Sequence, residues 1–138
     1  MSAPPPIYVI SLERNRARYE ATREAWAAMG YELRYWAGVD ATRAIRLEEK
    51  ETVYWRGLPY ISAAGDSWTR CEIACYLSHH RLWRHCLNSD ERAERVLIIE
   101  DDTEPTAACR ALLGELDALP ESYAVSYTHL TLPTNREV

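Results

Sequence analysis

The chain predicts an α/β fold, a Rossmann-like and mostly parallel sheet flanked by helices, and two observations carry that prediction. The segment Arg95-Val96-Leu97-Ile98-Ile99-Glu100-Asp101-Asp102 is an apolar run that ends abruptly in three carboxylates. Residues so rich in Val and Ile read as a strand covered on both faces, as in a parallel sheet. The second observation is the order strand, helix, strand over residues 7–36, a βαβ unit whose crossover is almost always right-handed. Ligands of open α/β sheets gather at the carboxyl ends of the strands, which is where the three acids fall.

Each element follows from local chemistry. Ile7-Tyr8-Val9-Ile10-Ser11-Leu12 is dominated by β-branched and aromatic residues and predicts the first strand. From Arg14 to Met29 there is no Gly or Pro, and Tyr19, Thr22, Trp26 and Met29 recur at helical spacing before Gly30 supplies the stop. Tyr31 to Trp36 reads as the second strand. Residues 41–67 have no sustained period and contain Gly57, Pro59 and Gly65, so they predict a long excursion with one short helix at Arg43 to Lys50. A helix from Thr69 to Leu87, a polar loop over 88–94, the acid-tipped strand and a helix from Thr106 to Leu119 complete the pattern, with Pro120 as the last stop.

Composition narrows the function classes. A chain of 138 residues suits one core, and 47% hydrophobic with 27% charged residues is the balance of a folded domain rather than a disordered segment. A net charge of -5 disfavours nucleic acid as a partner, since non-specific binding needs a basic face that releases counterions from phosphates. The opening Met-Ser-Ala-Pro-Pro-Pro lacks the basic and apolar segments of a secretory signal, and no run approaches the roughly 20 apolar residues of a membrane span. A cytoplasmic location is the expectation.

Three adjacent acids repel one another unless a cation or bound protons offset the charge, and hard oxygen donors suit Mg²⁺ or Mn²⁺. One reading of Glu100, Asp101 and Asp102 is therefore a metal site for a phosphorylated ligand; the other is a solvated acidic turn or helix start. Cys71, Cys75, Ser78, Leu82 and Cys86 share one helical face, so the cysteines, with Cys109, are expected to be core thiols, against the alternatives of metal ligands or disulfides. Arg14 and Arg18 are spaced i, i+4, which on a helix would put both guanidinium groups on one face, either solvated or facing a ligand. Trp55 and Trp68, in or beside the excursion, could stack on a sugar or base, though core packing is the commoner role.

Three pieces occur in order: Tyr8-Val9-Ile10-Ser11-Leu12-Glu13-Arg14 with Arg18, then Cys71-Glu72-Ile73-Ala74-Cys75-Tyr76-Leu77-Ser78-His79, then Ile98-Ile99-Glu100-Asp101-Asp102. Together they resemble glycosyltransferase family 25, the lipooligosaccharide galactosyltransferase family, over roughly residues 7–120. The family opens with a strand into Asn-Leu, carries Gly-Glu-x-Gly-Cys-x-x-Ser-His, and has an apolar strand into Glu-Asp-Asp. Ser11 stands where the Asn is usual, Cys71 and Ala74 replace the two glycines, and Glu72, Cys75, Ser78 and His79 match. Ala37-Gly38-Val39-Asp40 is similar to the family's Ala-Val-Asp element.

The resemblance implies a GT-A type fold and a metal-dependent transfer of a hexose, galactose from UDP-galactose foremost, to a saccharide or glycolipid acceptor in lipooligosaccharide or lipopolysaccharide biosynthesis. It implies Mn²⁺ or Mg²⁺ on Asp102 and Glu100. It implies donor contacts from Ser11, Arg14, Arg18, Asp40, Ser78 and Asp101, and a role for His79 in catalysis, with the general base unnamed. Peripheral association with the inner membrane would come through a glycolipid acceptor. The alternatives are a metal-dependent nucleotide phosphohydrolase using the same acids and a non-catalytic nucleotide- or glycan-binding module. Residues 126–138, Ser-Tyr-Thr-His-Leu-Thr-Leu-Pro-Thr-Asn-Arg-Glu-Val, resemble a translated sequencing adapter and are expected to be a non-native tail. Residues 1–125 would then be the nucleotide-sugar-binding half of a longer, here truncated, domain, inactive on its own.

Overall fold

The computed structural model describes residues 5–43, 45–48, 70–91, 93 and 95–115. Strand β1 spans Ile7–Ser11, helix α1 Arg16–Ala28, β2 Leu33–Ala37, α2 Arg70–Asn88, β3 Leu97–Glu100 and α3 Ala107–Glu115. The strands form one parallel sheet in the order β2-β1-β3. The α/β class and the flanked parallel sheet are as the sequence predicts.

The central strand organises both cores, because a strand sends alternate side chains to opposite faces. Ile7 and Val9 pack on one face with Tyr19 and Trp26 of α1, Leu33 of β2 and Cys109 of α3. Tyr8 and Ile10 pack on the other with Leu82 of α2, joined by Trp36, Cys86, Val96 and Ile98 at the margin. All five residues of β1 are buried. Each fully buried aliphatic such as Val9, Leu77 or Leu82 contributes about 1.5–3 kcal/mol of transfer free energy, so β1 and the inner face of α2 hold the layers together.

Four expectations are corrected. The strand ending in the acids is not covered on both faces: Leu97, Ile98 and Ile99 are only partly buried, because β3 lies at an edge of the described sheet and β1 takes the centre. Residues 45–48 have no regular structure, so the short helix expected over Arg43 to Lys50 does not form among the described residues there. Cys71 and Cys75 are exposed rather than core thiols, while Cys86 is half-buried and Cys109 buried, and all four are free. The buried stripe of α2 runs through Ile73, Ala74, Leu77, Ser78 and Leu82, and the two cysteines sit at its edge. Arg14 lies in a 3-10 turn, Glu13–Asn15, ahead of α1, so the i, i+4 relation to Arg18 does not put both on one helical face.

Trp55, Trp68, most of the long excursion, residues 116–119 of the expected last helix and the tail 126–138 lie outside the described residues. Among those described, no helix is long and apolar enough to cross a membrane.

Helix α1 ends as its sequence predicts. Gly30 adopts φ +90°, its N–H donates to the Ala27 carbonyl at 2.9 Å, and the N–H of Tyr31 reaches back to the Trp26 carbonyl at 3.1 Å. This pair of bonds is a Schellman cap, whose left-handed residue favours glycine. A Cβ at Gly30 would meet no atom within 4 Å, so a substitution there strains only the backbone. Gly30→Ala is expected to cost about 1–2 kcal/mol in denaturant unfolding; an unchanged midpoint would show that the left-handed cap is not held in solution.

Candidate functional site

The strand order fixes where a site can form. β1 runs through α1 on one face of the sheet to β2, and the chain then passes through α2 on the other face to reach β3 on the far side of β1. The order therefore reverses between β1 and β3, and the crevice of an open α/β sheet lies outside the carboxyl ends of the strands at such a point. Ser11 ends β1 and Glu100 ends β3, followed by Asp101 and Asp102.

Alternation along β3 separates the acids. Glu100 pairs in register with Ile10, whose side chain faces α2, and it points the same way: its Oε1 lies 3.4 Å from His79 Nε2 and accepts from Cys75 Sγ at 3.8 Å. Asp101 turns to the α1 side and is buried. Its Oδ2 accepts the Ser11 hydroxyl at 2.7 Å, its Oδ1 lies 3.6 Å from Arg18 Nη1, and its carbonyl accepts the Thr22 hydroxyl at 2.6 Å. Asp102 is exposed in the turn that follows. Among the described residues the three donor groups that converge within 4.8 Å of one another are those of Cys75, His79 and Glu100, and Asp102 is not in that group.

The second strand brings a further acid to the same end of the sheet. Asp40 follows β2 and accepts from Arg14 Nε at 2.9 Å, and from both the backbone N–H and the hydroxyl of Thr42, at 2.9 and 2.6 Å. The Thr42 hydroxyl and N–H, with Arg14 after them, hold its carboxyl well below the usual range, at about 2. Arg14 and Arg18 thus diverge, one toward the exit of β2 and the other toward the exit of β3, and both remain about half exposed. His79 is pushed the other way, to about 9, first by Cys75 and then by Glu100, against the opposing effect of burial. An imidazole so held donates a proton at neutral pH rather than accepting one.

Ser78 is placed inside. Its hydroxyl donates to the Ala74 carbonyl at 2.7 Å and accepts the Val39 N–H at 2.8 Å, so it ties α2 to the exit of β2. Gly38 eases the packing beside it, since a Cβ there would stand a tight 3.3 Å from both Ile10 and Leu12 side chains. Of the residues singled out in the sequence, Ser11, Arg18 and Asp101 form one group, Arg14 and Asp40 a second, and His79 and Glu100 a third. Sequence reasoning missed Thr22, Thr42 and the partnership of Cys75. The i, i+4 spacing of Cys75 and His79 was the available signal for the last, but the same spacing fits a core stripe equally well.

Two outcomes test this geometry. Asp101→Ala leaves the Ser11 hydroxyl and the Arg18 guanidinium without their acceptor and is expected to cost about 2 kcal/mol, whereas Asp102→Ala, exposed, should stay within about 0.5 kcal/mol in the same unfolding measurement. Equal losses would mean that the two acids are not divided between interior and solvent. Asp40 gives the pH dependence: its folded pKa lies below the unfolded value, so its stabilisation is complete above about pH 4 and is lost as the pH falls through about 2. Thr42→Ala should raise the Asp40 midpoint in a carboxyl NMR titration, and an unmoved midpoint would remove Thr42 as the main cause.

The profile of glycosyltransferase family 25, described as LPS biosynthesis protein, matches residues 4–127. A glycosyltransferase 25 family member of Anopheles gambiae is 29% identical over 101 residues, which cover 70% of this chain and 16% of that protein. Another, of Drosophila pseudoobscura pseudoobscura, is 31% identical over 100 residues, covering 70% and 15%. The chain spans about a sixth of the length of these curated relatives. Since the profile extends over nearly all of the folded region described above, the chain belongs to glycosyltransferase family 25.

Proposed function

We propose that this chain forms the nucleotide-sugar end of a glycosyltransferase that moves a hexose, galactose from UDP-galactose foremost, onto a saccharide or glycolipid acceptor of the lipopolysaccharide class. The observation that carries the reading is the placing of two half-exposed arginines and two exposed carboxylates at the carboxyl ends of adjacent parallel strands, in a chain whose family transfers sugars. A diphosphate donor needs cationic groups for its oxygens and a fixed frame that orients them.

Each residue has a part in this reading. Arg18 touches Asp101 at only 3.6 Å and can reach a phosphate oxygen without breaking a short ion pair, while Ser11 and Thr22 keep Asp101 in place. Arg14, oriented by Asp40, would face the nucleoside. Exposed carboxylates fit a hard divalent cation, so Glu100 and Asp102 would hold Mn²⁺ or Mg²⁺, which when bound supplies charge against the departing diphosphate. Asp101 does not fit as a ligand, because both its oxygens already face Ser11 and Arg18. His79 sits beside Glu100 as a hydrogen-bond donor to donor or acceptor oxygens. Attack by the acceptor hydroxyl calls for a general base outside these residues.

Asp102→Asn is expected to weaken UDP binding in the presence of Mn²⁺ by at least about tenfold, since losing an ionised ligand costs on the order of 1.4 kcal/mol. Calorimetric titration of both proteins decides it. Equal affinities would remove Asp102 from the metal.

A further inference from the structure

We propose that Cys75, His79 and Glu100 form a binding site for a thiophilic divalent cation, Zn²⁺ foremost, whose fourth coordination position is left open. The site shares His79 and Glu100 with the donor reading but adds Cys75 and a different metal, and it needs no nucleotide sugar. Helix α2 supplies two of the three groups from one face, at the i, i+4 spacing by which paired helical residues share a zinc ion. The alternation of β3 supplies the third by turning Glu100 toward α2 while Asp101 goes to the other face.

The distances that now hold a hydrogen-bonded cluster also suit a coordination polyhedron. Tetrahedral zinc with ordinary bond lengths sets its ligands about 3.4 Å apart for nitrogen and oxygen, and about 3.6 Å apart for sulfur and oxygen. Here His79 Nε2 and Glu100 Oε1 are 3.4 Å apart, and Cys75 Sγ and Glu100 Oε1 are 3.8 Å apart. All three donor groups lie within 4.8 Å of one another. A nitrogen-to-oxygen hydrogen bond is usually 2.7–3.2 Å long, so 3.4 Å is long for that bond and matches the edge of a zinc tetrahedron.

The ligand set also selects the metal. Magnesium and manganese prefer oxygen, whereas a thiolate and an imidazole suit zinc and its neighbours in the d-block series. Structural zinc sites are closed by four protein ligands, but a site with three keeps a place for water or a ligand oxygen. Cys75 is exposed, and the side chains of His79 and Glu100 keep 28% and 49% of their surface, so the open position faces solvent at the carboxyl edge of β3. A cation there displaces the imidazole and thiol protons and joins α2 to the end of β3 through three bonds.

The test uses the 138-residue chain stripped of metal by a chelator and titrated with ZnCl₂ and, separately, MnCl₂. One Zn²⁺ per chain is expected, bound at least about tenfold more tightly than Mn²⁺, and Cys75→Ser should lose at least about tenfold in Zn²⁺ affinity while Cys71→Ser keeps it. With CoCl₂ as the probe, a thiolate-to-cobalt charge-transfer band should appear in the wild type and in Cys71→Ser and be absent from Cys75→Ser. A measurement without any substitution guards against misfolded variants: Zn²⁺ should slow alkylation of Cys75, mapped by mass spectrometry, and leave that of Cys71 unchanged. Unsaturable binding, equal affinity in Cys75→Ser, or alkylation of Cys75 that Zn²⁺ does not slow would overturn the site. Glu100 and His79 serve both readings, so the two are told apart by the residues they do not share: Cys75 belongs to the zinc site alone, and Mn²⁺-dependent UDP binding through Asp102 to the donor reading alone.

Discussion

The two-residue period of β3, carried one step past the strand, governs how this end of the molecule is built. Glu100 must face α2 and Asp101 must face α1, because neighbouring residues of an extended chain point to opposite sides. A buried carboxylate is costly unless it is hydrogen-bonded and paired. Asp101 meets that condition with the Ser11 hydroxyl, the Arg18 guanidinium and, through its backbone, Thr22. The consequence is a brace that joins β1, α1 and β3 at one point, and the acids on either side of it are left to different surroundings.

Charge at this end is arranged for position more than for stability. Arg14 with Asp40 and Arg18 with Asp101 are pairs in which the arginine is about half exposed while the carboxylate is not, so solvent screens part of their attraction. Their effect is geometric. Each arginine stands beside a different strand exit, so a ligand laid across the ends of β2, β1 and β3 would meet a cation on either side of Ser11. The bidentate pair of Arg34 with Glu91, at 2.7 and 3.0 Å, lies away from this end and fixes the loop after α2 against β2.

The sheet and its helices were legible in the sequence because local signals and burial agreed. Ile7 to Ser11 reads as a strand and is the most buried one, and Tyr19, Thr22 and Trp26 recur at helical spacing and face the core. Lateral position was not legible, since an apolar run such as Val96 to Ile99 carries no record of whether its strand is central or at an edge. Arg14 was misjudged because a 3-10 turn before α1 changes the direction of its side chain by an amount that spacing alone does not reveal. The cysteines failed for a related reason: Cys71 and Cys75 share a line with Ser78 and Leu82, yet a helix face has an edge, and one residue of rotation separates Ala74, buried, from Cys75, exposed.

That same edge is held in place by packing that owes nothing to the groups it presents. Ser78, between Cys75 and His79 on α2, is bonded to the Ala74 carbonyl behind it and to the Val39 N–H across from it. Leu77 and Leu82 are completely buried beneath. Gly38 lets the chain beyond β2 approach to distances at which a Cβ would crowd the Ile10 and Leu12 side chains. These contacts leave α2 little freedom to slide or rotate, so Cys75 and His79 meet Glu100 at spacings set by the core rather than by their own attraction. Groups fixed in this way pay little to order when a ligand arrives, which is the property that separates a site from a chance cluster on a surface.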